Sequence, residues 1–144
     1  MKITLEQASL PEIEVVIRGD LSSPEVGALL QKIGKKNSGK LIVNREEEQV
    51  LLDISQIVYL ETADNRVKVV TQTENYETRQ KLYELMEALQ GFHFAQISKS
   101  TIVNIDFVRS IQAEFSGNYR IKLKGRKESL TVSRKYFKEF KERI

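Results

Sequence analysis

The pattern of apolar and polar positions changes period several times along the chain. "KITLEQ" and "EIEVVIR", residues 2–7 and 12–18, alternate apolar with polar residues, the period of a half-buried strand. "DLSSPEVGALLQKIGKK" then shifts to a helical period, with Val26, Leu29, Leu30 and Ile33 on one stripe. Ser23 suits the N-cap, Pro24 the first helical position and Gly34 the stop. "KLIVNREEEQVLLDI" reads as a hairpin around a charged turn, and "IVYLETADNRVKVVTQTENYET" repeats that pattern with "TADNR" as its loop. A second helix is expected at "RQKLYELMEALQG", with Leu82, Leu85, Met86 and Leu89 inward and Gly91 ending it.

"FVRSIQAEF" and "NYRIKLK" form another expected hairpin through Ser116, Gly117 and Asn118. In its second strand Tyr119, Ile121 and Leu123 share one face, and Arg120, Lys122 and Lys124 the other. "ESLTVS" adds a strand, and "SRKYFKEFKERI" a closing helix capped by Ser133, with Phe137, Phe140 and Ile144 inward. The pattern predicts a mainly β protein with short helices. A strand–strand–helix extension over residues 1–44 precedes a β domain over 45–144, the two meeting near "KKNSGK". The stripe of the first helix is expected to pack on its own two strands.

One stretch fits neither period. "QISKSTIVNID", residues 96–106, opens on Ser98, Lys99, Ser100 and Thr101, enters Ile102 and Val103, and sets Asn104 between two branched apolar residues. The serine hydroxyls and the lysine are donors of the kind that meet phosphate oxygens, and an asparagine amide can bond an adenine edge through two hydrogen bonds. Arg134 and Lys135 fall in the first turn of the closing helix, where free backbone N–H groups also favour an anion. Arg66 can reach a guanine edge or a phosphate from the "ADNR" loop.

Charge sharpens this picture. The 144 residues carry a net +3, but residues 118–144 hold ten Lys/Arg against three Glu, a net +7, leaving −4 for residues 1–117. Such asymmetry points to a polyanion at the C-terminal end. Catalysis finds little material. There is no Cys, a single histidine at His93, no Walker loop, no nucleophile elbow and no His-Glu-x-x-His helix. His93 follows a helix end and reads as a partly buried or capping residue, and no cofactor or metal is expected. No apolar run approaches a membrane span and the N-terminus lacks a secretory signal, so a cytoplasmic protein is expected.

In order along the chain, "DISQIVYLETADNRVKV", "LYELMEAL", "FAQISKSTIVNIDFVRSI" and "LTVSRKYFKEF" resemble the LytTR DNA-binding domain, the output domain of the LytR/AlgR group of bacterial transcription regulators. The resemblance covers residues 53–144. Its most specific parts are the Ser-x-x-Val-Asn ending and the strand ending in Val-Ser-Arg. It implies an elongated fold of stacked antiparallel sheets with short helices, and loops that enter successive major grooves of double-stranded DNA. The family's base and phosphate contacts map here onto Asp64, Asn65 and Arg66, onto Ser98, Lys99, Ser100 and Asn104, and onto Ser133, Arg134 and Lys135. The chain departs from the family in having Ser98 and Lys99 where a His and an Arg are common. Lysine is a point donor and not a planar fork, so a phosphate contact is expected there.

Too few residues are expected ahead of this region for the phosphorylated receiver domain that many members carry. The chain instead resembles the small stand-alone regulators of the family, for which a homodimer, or two copies on repeated sites, is implied. Those often accompany a small integral-membrane protein that restrains them. The rival reading is a β-rich protein-interaction module, with the helix at Ser23–Gly34 docking a partner and the basic tail incidental.

Overall fold

The computed structural model describes residues 1–11 and 13–144, with the side chains of residues 31 and 33–38 outside the description. The chain divides into two compact units, Met1–Gly34 and Lys35–Ile144.

In the first unit, the helix α1 (Pro24–Ser38) begins where Ser23 and Pro24 predict, and the Val26 N–H donates to the Ser23 carbonyl. Val26 and Leu29 are half-buried and Leu30 is exposed, and the side chain of Ile33 lies outside the description. The expected stop at Gly34 is not one: the helix runs on to Ser38. The two expected strands are not formed. Residues 2–7 and 13–18 carry no strand pairing, and Glu12, which opens the second, lies outside the described residues. The physical reason is visible in their apolar side chains. Ile3, Leu5, Ile13, Val15 and Val16 are all more than half exposed, so within one chain no second surface covers the alternating face. The expected strand–strand–helix extension is therefore, among the described residues, a helix preceded by irregular chain.

The second unit holds the strands. In chain order they are β1 (Lys40–Arg45), β2 (Glu48–Asp53), β3 (Ile57–Ala63), β4 (Arg66–Thr71) and β5 (Asn75–Thr78). The helix α2 (Leu82–Ala88) comes next, then β6 (Phe94–Gln96), β7 (Thr101–Asn104), β8 (Val108–Ala113), β9 (Tyr119–Leu123), β10 (Ser129–Val132) and the helix α3 (Arg134–Arg143). All of β1 pairs with β2, from Lys40 opposite Asp53 to Arg45 opposite Glu48, so the expected division after residue 44 would cut a hairpin. β1 belongs to the β domain.

Seven strands form one antiparallel sheet in the order β2-β1-β5-β4-β3-β7-β6, and β10-β9-β8 form a second. The stretches "IVYL" and "TIVN" are buried on both faces and so run on without alternating, whereas β4 alternates at exposed Lys68 before Val69 and Val70 are buried together. On one face Leu60, Val69 and Ile102 pack with Leu85 and Leu89 of α2. On the other, Tyr59, Val70 and Val103 pack with Ile121 and Leu123 of β9, Val132 of β10 and Phe140 of α3. Phe140 is fully buried, and removing its ring would cost roughly 3–5 kcal/mol. Phe137 stacks on Tyr119 at 3.5 Å between ring centroids, but Ile144, expected inward, is exposed.

Two side chains tie α3 to the larger sheet. Arg143 donates to the Phe94 carbonyl at 2.8 Å. His93 bonds the Asp106 carboxylate through Nδ1 and the Arg143 carbonyl through Nε2, each at 2.8 Å. With an acceptor at both ring nitrogens the imidazolium is favoured, and the Asp106 bond, then the Arg143 bond, hold its pKa above the ordinary histidine value. The protonated ring also sits at the C-terminus of α3, where the helix dipole favours a positive charge. No helix among the described residues is long and apolar enough to cross a membrane.

Candidate nucleic-acid interface

The β3–β4 hairpin turns through two residues, because Ala63 pairs with Arg66. Asp64 takes a left-handed φ of 56°, which Asp tolerates better than most residues. Asp64, Asn65 and Arg66 are all exposed at this tip. The Arg66 guanidinium is not free, however: it bonds Glu77 on the neighbouring β5 at 2.7 Å, with both side chains about half exposed. An exposed pair of this kind contributes about 0–1 kcal/mol, so a stronger anion can displace Glu77.

The β6–β7 turn is built around Ile97. Its side chain is fully buried and its N–H donates to the Thr101 carbonyl at 2.9 Å. Above that anchor the chain is self-bonded. The Ser98 hydroxyl accepts from the Ser100 N–H at 3.2 Å, and the Gln96 amide donates to the Ser98 carbonyl at 2.9 Å. Lys99 is left exposed between two half-buried serines.

The third segment opens α3. Ser133 has the extended backbone of an N-cap, φ −69° and ψ 149°, but its hydroxyl makes no capping bond. Asn118, from the β8–β9 turn, supplies the acceptor instead, its Oδ1 taking the Arg134 N–H at 3.1 Å. The same turn fits closely under Arg134. Gly117 has φ +90°, and a Cβ built on it would lie 3.3 Å from the Arg134 Cδ.

Two backbone bonds bring these segments together. The Thr62 N–H, just before the first tip, donates to the Ser100 carbonyl at 2.8 Å, and the Ser133 N–H donates to the Ile97 carbonyl at 2.8 Å. The β6–β7 turn is thereby flanked by the β3–β4 hairpin on one side and the α3 corner on the other. Among the described residues, Lys99, Arg134 and Lys135 have no carboxylate within ion-pair distance. Three other cations of the basic tail are held in ion pairs. Arg120 pairs with Glu114, Arg143 with Glu139, and Arg126 with Glu128. Arg126 also donates to the Thr71 carbonyl, and its bond to Glu128 holds that carboxyl below the usual range.

Asn104 corrects the sequence reading. It is only 3% exposed, its Nδ2 donates to the Ile57 carbonyl at 2.8 Å and its Oδ1 accepts from the Asp106 N–H at 3.0 Å. The amide caps the one-turn helix at Ile105–Phe107 and bridges to β3. It sits at the far end of β7 from Ser98, Lys99 and Ser100, with no face toward solvent, and cannot read a base in this arrangement.

Three residues overlooked in the sequence lie beside the site. Arg79 and Lys81 line a shallow cleft with Asn65 and Arg66. Their only signal was a pair of cations bracketing the start of α2. Phe115, in the turn that holds Arg134, is fully exposed; an aromatic ring next to "SGN" has no strand face to bury it.

A family model described as the LytTr DNA-binding domain matches residues 47–144. The chain belongs to the LytTr DNA-binding domain family. Its matched region takes in α2, α3 and every strand but β1, as well as the three clustered segments. A sensory transduction protein LytT of Oceanobacillus iheyensis is 35% identical over 106 residues, 72% of this chain and 43% of that protein. Its counterpart in Bacillus cereus is 36% identical over 102 residues, 71% of this chain and 41% of that protein. The chain thus spans less than half the length of these curated relatives. An uncharacterized HTH-type transcriptional regulator of Staphylococcus aureus is 25% identical over 146 residues, 100% of this chain and 98% of that protein. A solved LytTr DNA-binding domain of a methyl-accepting/DNA response regulator from Bacillus cereus shares the fold. Its TM-score is 0.67 at 18% identity, covering 74% of this chain and 97% of that one.

Proposed function

We propose that this chain is a sequence-specific, double-stranded DNA-binding transcription regulator that acts as a homodimer or as two copies on repeated sites. The observation that carries the reading is the cluster of three loop segments joined by the Thr62–Ser100 and Ser133–Ile97 backbone bonds, with Lys99, Arg134 and Lys135 unpaired beside them. Membership of the LytTr family and the regulator named in Staphylococcus aureus support it.

The division of labour follows from the donors. Lys99 and Lys135 are point charges and neutralise phosphates, and the Ser98, Ser100 and Ser133 hydroxyls bond phosphate oxygens. Arg134 carries a planar fork at a fixed helix start and reads a base edge in the major groove. Asn65 and Arg66 enter a neighbouring groove from the hairpin tip, once a phosphate or guanine replaces Glu77. Phe115 lies where an apolar contact to a thymine methyl would come from the same turn. A protein-interaction module would have no need for unpaired cations on two adjacent segments, with an exposed, displaceable Arg66–Glu77 pair on the third. Nothing in this reading calls for a catalytic group or a cofactor.

Binding-site selection from random duplex DNA, followed by footprinting, tests the proposal. The expected result is an enriched sequence protected over separate groove segments. Failure to enrich any sequence would refute it.

A further inference from the structure

The first unit leaves two alternating segments without partners. Ile3 is 74% exposed, Leu5 92%, Ile13 94% and Val15 65%, and Ile17 is half-buried. Such a row of exposed apolar residues marks an interaction surface. What covers it is written in the charges of the same segments.

Consider residues 2–6, Lys-Ile-Thr-Leu-Glu, laid antiparallel against the same segment of a second copy with Thr4 opposite Thr4. Lys2 then stands opposite Glu6 twice, and Ile3 opposite Leu5 twice on the other face. Residues 14–18, Glu-Val-Val-Ile-Arg, have the same property around Val16. Glu14 meets Arg18 twice, and Val15 meets Ile17 twice. Opposite charges across an antiparallel pair stabilise it and like charges destabilise it. Within one chain, the register that aligns the two segments end to end does the reverse, and the shifted register that sets Lys2 against Glu14 brings Pro11 opposite Leu5. The register that sets Ile3 against Ile17 and Leu5 against Val15 also sets Lys2 against Arg18 and Glu6 against Glu14. The sequence therefore disfavours the fully aligned internal hairpin and favours a second copy, in keeping with the absence of strand pairing in residues 2–7 and 13–18.

We infer that residues 2–6 and 14–18 are the homodimer interface, each pairing antiparallel with its own counterpart in a second copy of this chain. One two-fold axis serves both pairs. It passes between the two Thr4 residues and between the two Val16 residues, with the apolar faces of the two ribbons turned toward each other. The inference goes beyond the DNA reading by naming the dimer surface, and its test contains no DNA, so either can fail without the other.

The chain has no cysteine, so a single introduced thiol can form a disulfide only with its copy. On-axis residues of an antiparallel pair have Cα atoms about 4.5–5.5 Å apart, within disulfide reach. Residue 2 and its copy lie roughly 14 Å apart along the strands, beyond it. Thr4→Cys and Val16→Cys should therefore give covalent dimers under mild oxidation at least about tenfold faster than Lys2→Cys. Sedimentation equilibrium of the full chain should show a reversible dimer. Glu14→Arg or Arg18→Glu should weaken it by about tenfold, and the double exchange should restore it. A monomer at all concentrations would overturn the inference and leave these side chains to a different protein. Equal crosslinking at positions 2, 4 and 16, or a dimer indifferent to the charge reversals, would overturn it too.

Discussion

The two ends of β7 hold the same kinds of atoms and put them to opposite uses. At one end Ser98, Lys99 and Ser100 close a turn whose lysine is exposed, anchored from beneath by Ile97. At the other, Asn104 is buried and both functions of its amide are bonded to backbone groups of β3 and of the adjoining helical turn. In sequence they are four residues apart and equally polar. What separates them is topology. One end of the strand faces the gap between two loops, and the other faces the carbonyl of Ile57. A polar residue inside an apolar run is thus either offered to a partner or consumed by the fold. Only the structure opposite it decides which.

Breaking the consumed end should have the largest effect on stability. Asn104→Ala would take the amide donor from the buried Ile57 carbonyl and the acceptor from the part-buried Asp106 N–H, a loss of roughly 1–3 kcal/mol of stability. Denaturant unfolding should register it, while the folded fraction keeps its DNA affinity. Breaking the offered end should do the opposite. Arg134→Ala should cost about 1–3 kcal/mol of specific binding, read by gel-shift titration, with the unfolding midpoint nearly unchanged because Asn118 still receives the residue-134 N–H. Lys99→Ala should be milder, weakening all duplexes alike and lowering the salt slope by about 1.

The smallest effect sharpens the boundary between the two classes. His93 gains its folded-state stabilisation as a cation, from the Asp106 carboxylate first and the Arg143 carbonyl second. Because its pKa is raised on folding, that contribution is complete below the unfolded value of about 6.5 and is lost as pH rises through the folded one. The thermal midpoint should therefore fall slightly on going from about pH 6 to about pH 8. His93→Gln should flatten that dependence without touching DNA binding.

Much of the second unit was legible because its patterns are local. The stripe Leu82/Leu85/Leu89 marked α2, the Ser116-Gly117-Asn118 turn marked a hairpin, and the alternation in "YRIKL" assigned the faces of β9 correctly. The site was legible as three segments but not as a list of residues. Asn104 failed because burial depends on β3, 47 positions earlier, and no local period carries that information. The ten cations of the tail overstated the free charge for a different reason: Arg126, Arg143 and Arg120 pair with glutamates two, four and six positions away, local pairings that a charge count does not register. The N-terminal strands failed differently. Their period is real, but a period says which face wants covering and not whether one chain can cover it.

The most direct measurement follows affinity for the selected duplex against salt, between about 50 and 200 mM, for the unaltered chain and for a Lys99/Arg134/Lys135 triple alanine variant. The account predicts a steep linear fall of log affinity with log salt, and a slope shallower by about 2 units in the variant, one for each of the two phosphate-contacting lysines. An identical slope for the two proteins, or no salt dependence in either, would contradict the placing of phosphate contacts on the β6–β7 turn and the start of α3.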